Sequence, residues 1–241
     1  MARQESSPRV EQIGSLLHVG RLPRIGDLLH GGVACPWTLG LCAAMLLVNV
    51  GLLPHAPGAG RALLGWLEFD RQAILQGELW RLLTGNLVHW SLEHFLLDVG
   101  PFLIVGLLYE RSVRRQYPWF LLGSALAIGV TVLALLPEVE TYRGLSGVDS
   151  GQFALAVCVE IRAARREPRR WVWLAPVAAI FLTKIVWEGA TGQMLFGTES
   201  LGDIGVPIAL AHVVGTVAAL SLQPAALIRG VKGSAAALGR L

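Results

Sequence analysis

The sequence predicts an all-α, polytopic membrane protein with six transmembrane helices. Three observations predict it. Hydrophobic residues make up 54% of the 241 and charged residues 15%, against about 45–50% and about 25% in soluble domains. Charged side chains are therefore too few to coat a water-exposed globule. The apolar residues gather into six stretches of membrane-crossing length, and cationic residues collect on alternate connections between them. Mean hydropathy is +0.56, which excludes a disordered chain. Three cysteines exclude a disulfide scaffold. The pI of about 9.0 follows from basic loops beside apolar spans, so no nucleic-acid partner is expected.

Residues 1–35 read as a polar segment. Four arginines and three acidic residues fall in the first thirty, and no apolar core follows a short basic start, as a cleaved signal peptide requires. The first span, Pro36 to Leu53, carries no charge and at about 1.5 Å per residue just crosses a bilayer core. The loop 54–90 is too long for a simple connection. Its segments Ala62–Phe69 and Glu78–Val88 mix Leu and Trp with single charges and predict short interfacial helices. The second span, Leu92 to Tyr109, is interrupted by His94 and Asp98, whereas the third, Tyr117 to Leu136, has no charge. The fourth, Ser146 to Ile161, is shorter and less apolar. The fifth, Trp171 to Trp187, contains Lys184, and the sixth, Ile204 to Leu222, has His212 as its one ionisable group. A short basic tail, 223–241, follows the membrane domain 36–222.

Orientation follows from charge. With the N-terminus inside, fifteen Lys and Arg residues fall on inner segments and four (Arg61, Arg71, Arg81 and Arg143) on outer loops. Cationic residues favour the cytoplasmic side, so both termini are expected in the cytoplasm.

Ionisable groups within a membrane are expensive and are functional candidates by default. In this topology the second, fourth and sixth spans run the same way. His94 and Asp98, then Ser146, Asp149 and Ser150, then His212 all fall in the outer half of the bilayer. Gly147 and Gly151 are four apart in the fourth span, as are Ala211, Gly215 and Ala219 in the sixth. Such rows let helix backbones approach closely, which would bring the Ser146 hydroxyl to the His212 ring. A serine hydroxyl becomes a good nucleophile when a base takes its proton, and neutral imidazole is such a base. Each feature alone has a structural explanation: Gly-x-Ser-Gly is short, Gly-x-x-x-Gly is usually packing, and a lone histidine often only hydrogen-bonds. Their coincidence at one depth favours chemistry.

Three blocks resemble the rhomboid family of intramembrane serine proteases. The first is Gly77-Glu78-Leu79-Trp80-Arg81-Leu82-Leu83-Thr84 followed by His89-Trp90-Ser91-Leu92-Glu93-His94-Phe95-Leu96-Leu97-Asp98. The second is Gly144-Leu145-Ser146-Gly147, and the third is Ala211-His212-Val213-Val214-Gly215. They stand in the family's order over about residues 37–222. Tyr142 and Arg143 before the serine motif, with Lys184 and Glu188 before Thr191-Gly192, are similar to the rhombosortase-like branch. That branch implies substrates with a C-terminal Gly-rich, single-span, basic-ended sorting tail.

The resemblance implies a six-span rhomboid-like bundle, in the inner membrane of a bacterium, that cleaves membrane-anchored proteins without a cofactor or metal. Ser146 would be the nucleophile and His212 the general base and acid of a dyad, with no third acid required. The Ser146 N–H would meet the oxyanion, assisted by His94. Gly144 and Gly147 would permit the turn. Two departures stand out: Asp98 occupies a position where Asn is usual, and Ser150 one where an aromatic ring is frequent. Asp98 is expected to support His94 at i, i+4, since an ionised carboxylate cannot donate to an oxyanion. Lys184 and Glu188 read as a structural i, i+4 pair, Trp80 and Arg81 as loop anchors, and Cys35, Cys42 and Cys158 as packing residues. The competing classes are a non-catalytic rhomboid-like client-binding protein and a metalloenzyme using His94, Asp98, Asp149 and His212.

Overall fold

The computed structural model describes residues 35–53, 55, 58–193, 195 and 208–221. The polar segment before Cys35, residues 204–207 and Leu222 of the expected sixth span, and the tail 223–241 lie outside them. Helix α1 (Pro36–Val48) opens with Pro36, whose fixed φ suits a first helical position, and runs into a 3-10 turn at Asn49–Leu52. The long first loop is itself helical: α2 (Gly58–Leu67), α3 (Arg71–Leu75) and α4 (Arg81–Thr84). Helix α5 (Leu92–Tyr109) begins where Ser91 Oγ accepts the His94 N–H, an ordinary N-cap. Then follow α6 (Tyr117–Leu135), α7 (Ser146–Ala164), α8 (Trp171–Thr191) and α9 (Ala209–Ser221).

Among the described residues three helices are long and apolar enough to cross a membrane: α5 with its 3-10 extension to Val113, α6, and α8 from Pro168. Pro36–Leu52 and Ala209–Ser221 are shorter apolar helices. Helix α7 has the length but carries Asp149, Glu160 and Arg162. Its residues from Gly147 to Cys158 are mostly buried. A helix surrounded by other helices meets protein rather than lipid, so its polar residues are tolerated, and the weaker hydropathy of this stretch has that cause. Trp37, Trp119, Trp171 and Trp187, at helix ends, are exposed, as an interfacial belt requires.

Two buried polar networks pin the helix ends. The Glu110 carboxylate, fully buried, accepts the Trp37 and Thr38 N–H groups at 3.2 and 2.8 Å and the Thr38 hydroxyl at 2.6 Å. It thereby satisfies donors at the start of α1, where negative charge is favoured. Arg71 does the converse for α6. Its guanidinium donates to the carbonyls of Val132, Leu133, Leu136 and Val139 at 2.6–2.9 Å, complementing the negative end of that helix. Arg81 donates to Glu78 and to the Gly65 and Glu68 carbonyls, so it anchors the first loop. The three cysteines are free and buried.

A two-residue antiparallel ladder pairs β1 (Phe69–Asp70) with β2 (Thr141–Tyr142), Phe69 opposite Tyr142. The Gly144 N–H donates to Gly85 O at 3.2 Å, and Arg143 pairs with Glu68 at 2.8 Å while covering the Trp90 ring at 4.4 Å. The first loop thus holds the segment that leads into α7.

Candidate active site

The approach to Ser146 is a strained turn. Gly144 has φ +132, a conformation that residues with a Cβ rarely adopt. A Cβ there would also lie 2.9 Å from His94 Nε2 and 3.4 Å from Asp98 Oδ2. The Tyr142 hydroxyl donates to the Gly144 carbonyl at 2.9 Å; burial pushes this phenol far above its ordinary pKa, so it stays a neutral donor. Leu145 N–H donates to Asp98 Oδ2 at 2.7 Å. Ser146 is then the first residue of α7, a position whose N–H has no intrahelical acceptor.

Asp98 collects two histidines as well. His94 Nε2 lies 3.3 Å and His89 Nε2 3.4 Å from Asp98 Oδ2, and the two rings meet edge to face at 5.1 Å. Burial holds the His89 imidazole below its ordinary pKa. Its N–H and Nδ1 are oriented by Asn49 Oδ1, at 2.9 and 3.3 Å. His94 Nδ1 is buried and has no hydrogen-bond partner. Asp98 therefore holds both the His94 ring and the backbone immediately before Ser146.

Helices α7 and α9 approach at glycine. A Cβ at Gly215 would overlap the Gly147 carbonyl, one at Gly151 would overlap the Gly215 carbonyl, and one at Gly147 would sit 2.9 Å from Ala211 O. This backbone contact brings Ser146 Oγ to 3.0 Å from His212 Nε2. Thr216 donates to the His212 carbonyl at 2.8 Å, and Ser150 Oγ donates to the Ser146 carbonyl at 3.0 Å, so Ser150 braces the first turn of α7.

The far side of the His212 ring holds what the sequence reading assigned elsewhere. His212 Nδ1 is 2.8 Å from Glu188 Oε2 and 3.0 Å from Lys184 Nζ, and Lys184 Nζ is 2.7 Å from the same Glu188 oxygen. Lys184 and Glu188 are a pair, as expected, but not an isolated one: Glu188 is 1% exposed and His212 3%. A signal was present. The fifth span runs opposite to the fourth and sixth, so a carboxylate near its C-terminal end reaches the level of Ser146. Asp149 stands three residues beyond Ser146 and lines, with Lys184 and Ser150, an apolar cavity of about 410 Å³ between α5, α7 and α8.

His94, Asp98, Asp149 and His212 form no metal-holding set: among the described residues no three His, Cys, Asp or Glu side chains are so grouped. What the arrangement can do chemically is remove a proton from a serine hydroxyl beside a free helix N-terminus. The rhomboid domain family matches residues 76–228, more than half of the chain.

Proposed function

This chain belongs to the rhomboid family, and from that premise we propose that it is an intramembrane serine endopeptidase with Ser146 as nucleophile and His212 as general base and acid. Members of the family are generally intramembrane serine proteases acting on membrane-protein substrates, and the rhomboid domain with its apolar helices makes this an integral membrane protein. The observation that carries the reading is the 3.0 Å contact from Ser146 Oγ to His212 Nε2, made by two residues 66 apart in sequence on helices joined through glycine.

His212 Nε2 takes the hydroxyl proton as Ser146 Oγ attacks the substrate carbonyl. The oxyanion is met by the Ser146 N–H at the positive end of α7, with His94 beside it. His212 then returns the proton to the leaving amine, and water resolves the acyl-enzyme by the reverse use of the same groups. The apolar cavity between α5 and α8 reaches Asp149, Ser150 and Lys184, neighbours of this pair, and is the proposed lateral entrance for a membrane segment. Six spans, with α7 at the centre and α1 and α9 as the short members, put the Ser146 end of α7 on the outer face and both termini in the cytoplasm, in keeping with the fifteen-to-four cation bias.

Tyr142, Arg143 and the Gly144–Gly147 motif, with Lys184 and Glu188, favour the rhombosortase-like branch and hence single-span substrates ending in Gly-rich, basic tails in a bacterial inner membrane. The test is co-reconstitution of the protein with such a tail fused to a reporter, wild type beside Ser146→Ala. Cleavage by the wild type alone is expected. Equal cleavage by both removes Ser146 from the mechanism, and binding without cleavage by either makes this a client-binding protein.

A further inference from the structure

We infer that Glu188 is a positioning residue for His212, completing a Ser146–His212–Glu188 relay, with Lys184 holding the carboxylate in its ionised form; this rests on reading Ser146 and His212 as the reacting pair. The argument begins with the proton inventory of one imidazole. To accept the Ser146 proton at Nε2, a neutral His212 must carry its hydrogen on Nδ1. Nδ1 faces two groups, Glu188 Oε2 at 2.8 Å and Lys184 Nζ at 3.0 Å. A carboxylate can only accept and an ammonium can only donate. If Lys184 donated to a bare Nδ1, the hydrogen would sit on Nε2 and Ser146 would have no base. Two lone pairs, on Nδ1 and Oε2, would then face each other at 2.8 Å between two buried side chains. With the hydrogen on Nδ1, both Nδ1–H and Lys184 donate to the same Oε2, at 2.8 and 2.7 Å, and the longer 3.0 Å Nζ–Nδ1 contact is that of two donors sharing one acceptor. The burial of Glu188 therefore selects the reactive tautomer.

The charge balance supports the same assignment. A carboxylate that is 1% exposed is strongly penalised unless paired, and Lys184, one helical turn away on α8, supplies the pairing at 2.7 Å. Its ammonium is partly exposed to the cavity of about 410 Å³. When His212 takes the serine proton, the new imidazolium faces an ionised Glu188 directly and the ammonium beside it, so the two α8 residues act on it with opposite sign. Among the described residues, Asp149 on α7 is the other ionisable group at this end of the elements packed against α9. Glu160 and Arg162 lie toward the far end of α7, and α6 carries no charged residue.

The probe is a fluorescent fluorophosphonate, which phosphonylates an activated serine with loss of fluoride. Its labelling rate on the full-length protein in detergent is recorded against pH. Ser146→Ala is the control for the reacting pair: labelling equal to wild type there defeats the proposed function itself. With that control silent, Glu188→Gln is expected to label up to about 10⁴-fold more slowly and to move the midpoint of the pH profile down by about 1 pH unit, because a counter-charge to the imidazolium is gone. Glu188→Asp, which keeps the charge, returns the midpoint toward wild type. Lys184→Met moves it in the opposite direction, upward. The midpoint is read from the shape of the profile and does not depend on how much of a variant is folded. Nitrogen-15 spectra of labelled histidine add a readout without activity, with the His212 hydrogen moving off Nδ1 in Glu188→Gln. An unchanged midpoint and tautomer in Glu188→Gln, or shifts of the same sign in Glu188→Gln and Lys184→Met, overturns the inference.

Discussion

Gly215→Ala adds one methyl group at the closest point between α7 and α9, where it would overlap the Gly147 carbonyl. Two effects on stability oppose each other. Alanine gains about 1 kcal/mol over glycine in a helix interior, and overpacking a tight contact costs about 1–3 kcal/mol. The net loss is about 0–2 kcal/mol, and the protein stays folded. The site does not absorb the change so easily. The obstacle is backbone, so the helices have to part, and the Ser146–His212 contact at 3.0 Å spans that same interface. A misplacement of about 1 Å in a reacting pair costs about 10²-fold in rate. Fluorophosphonate labelling of Ser146 should fall by about that factor, while the melting temperature in detergent moves by only a few degrees. Gly123→Ala on α6, where a Cβ meets nothing within 4 Å, is the control and should label at the wild-type rate with equal or higher stability. Wild-type labelling by Gly215→Ala would refute the view that glycine contact sets the distance between nucleophile and base.

Other outcomes follow from the same structure. Asp98→Asn keeps an oxygen for the Leu145 N–H, bonded to Asp98 at 2.7 Å, and should retain most labelling. Asp98→Leu leaves that N–H unsatisfied at about 1–3 kcal/mol and should lose most of it; inactivity of Asp98→Asn equal to that of Ser146→Ala would show that the charge itself is needed. Burial holds His89 below its ordinary value of 6.5, so protonation favours the unfolded chain. The stability due to its neutral form is complete above pH 6.5 and is lost as the pH falls toward the folded value. The wild-type melting temperature should drop over that interval by more than that of His89→Gln. Single cysteines placed at 137–140 in a background lacking Cys35, Cys42 and Cys158 should react with an impermeant maleimide from the outer face, whereas cysteines at 165–167 should not. The reverse pattern would invert the topology and the side from which substrates are cut.

The bounds of α5 are legible because its apolar run sits between a capping serine and Glu110, and those of α6 because no charge interrupts it. The end of α7 is less so. The helix continues past Ile161 to Ala164 because Arg162, Ala163 and Ala164 are strong helix formers that prolong it beyond the point where hydropathy falls. The β1–β2 ladder has no sequence signature: two residues are too few for alternation, and Phe69 meets Tyr142 from far along the chain. The Ser146–His212 pairing could be anticipated from depth and glycine spacing. The role of Lys184 and Glu188 was masked, because an i, i+4 pair of opposite charges is complete as a local interaction. Only the antiparallel course of the fifth span places it against His212.

The order in which the site's parts leave the ribosome has a consequence for the cell. Asp98 and His94 come first, then Ser146, then Lys184 and Glu188, and His212 last, on α9. A nascent chain that has inserted everything through α8 displays a nucleophile and a carboxylate with no base between them. On the proposed mechanism, neither an unfinished polypeptide nor one abandoned by a stalled ribosome before α9 holds an activated serine. On that mechanism, inactivity during synthesis follows from the chain order.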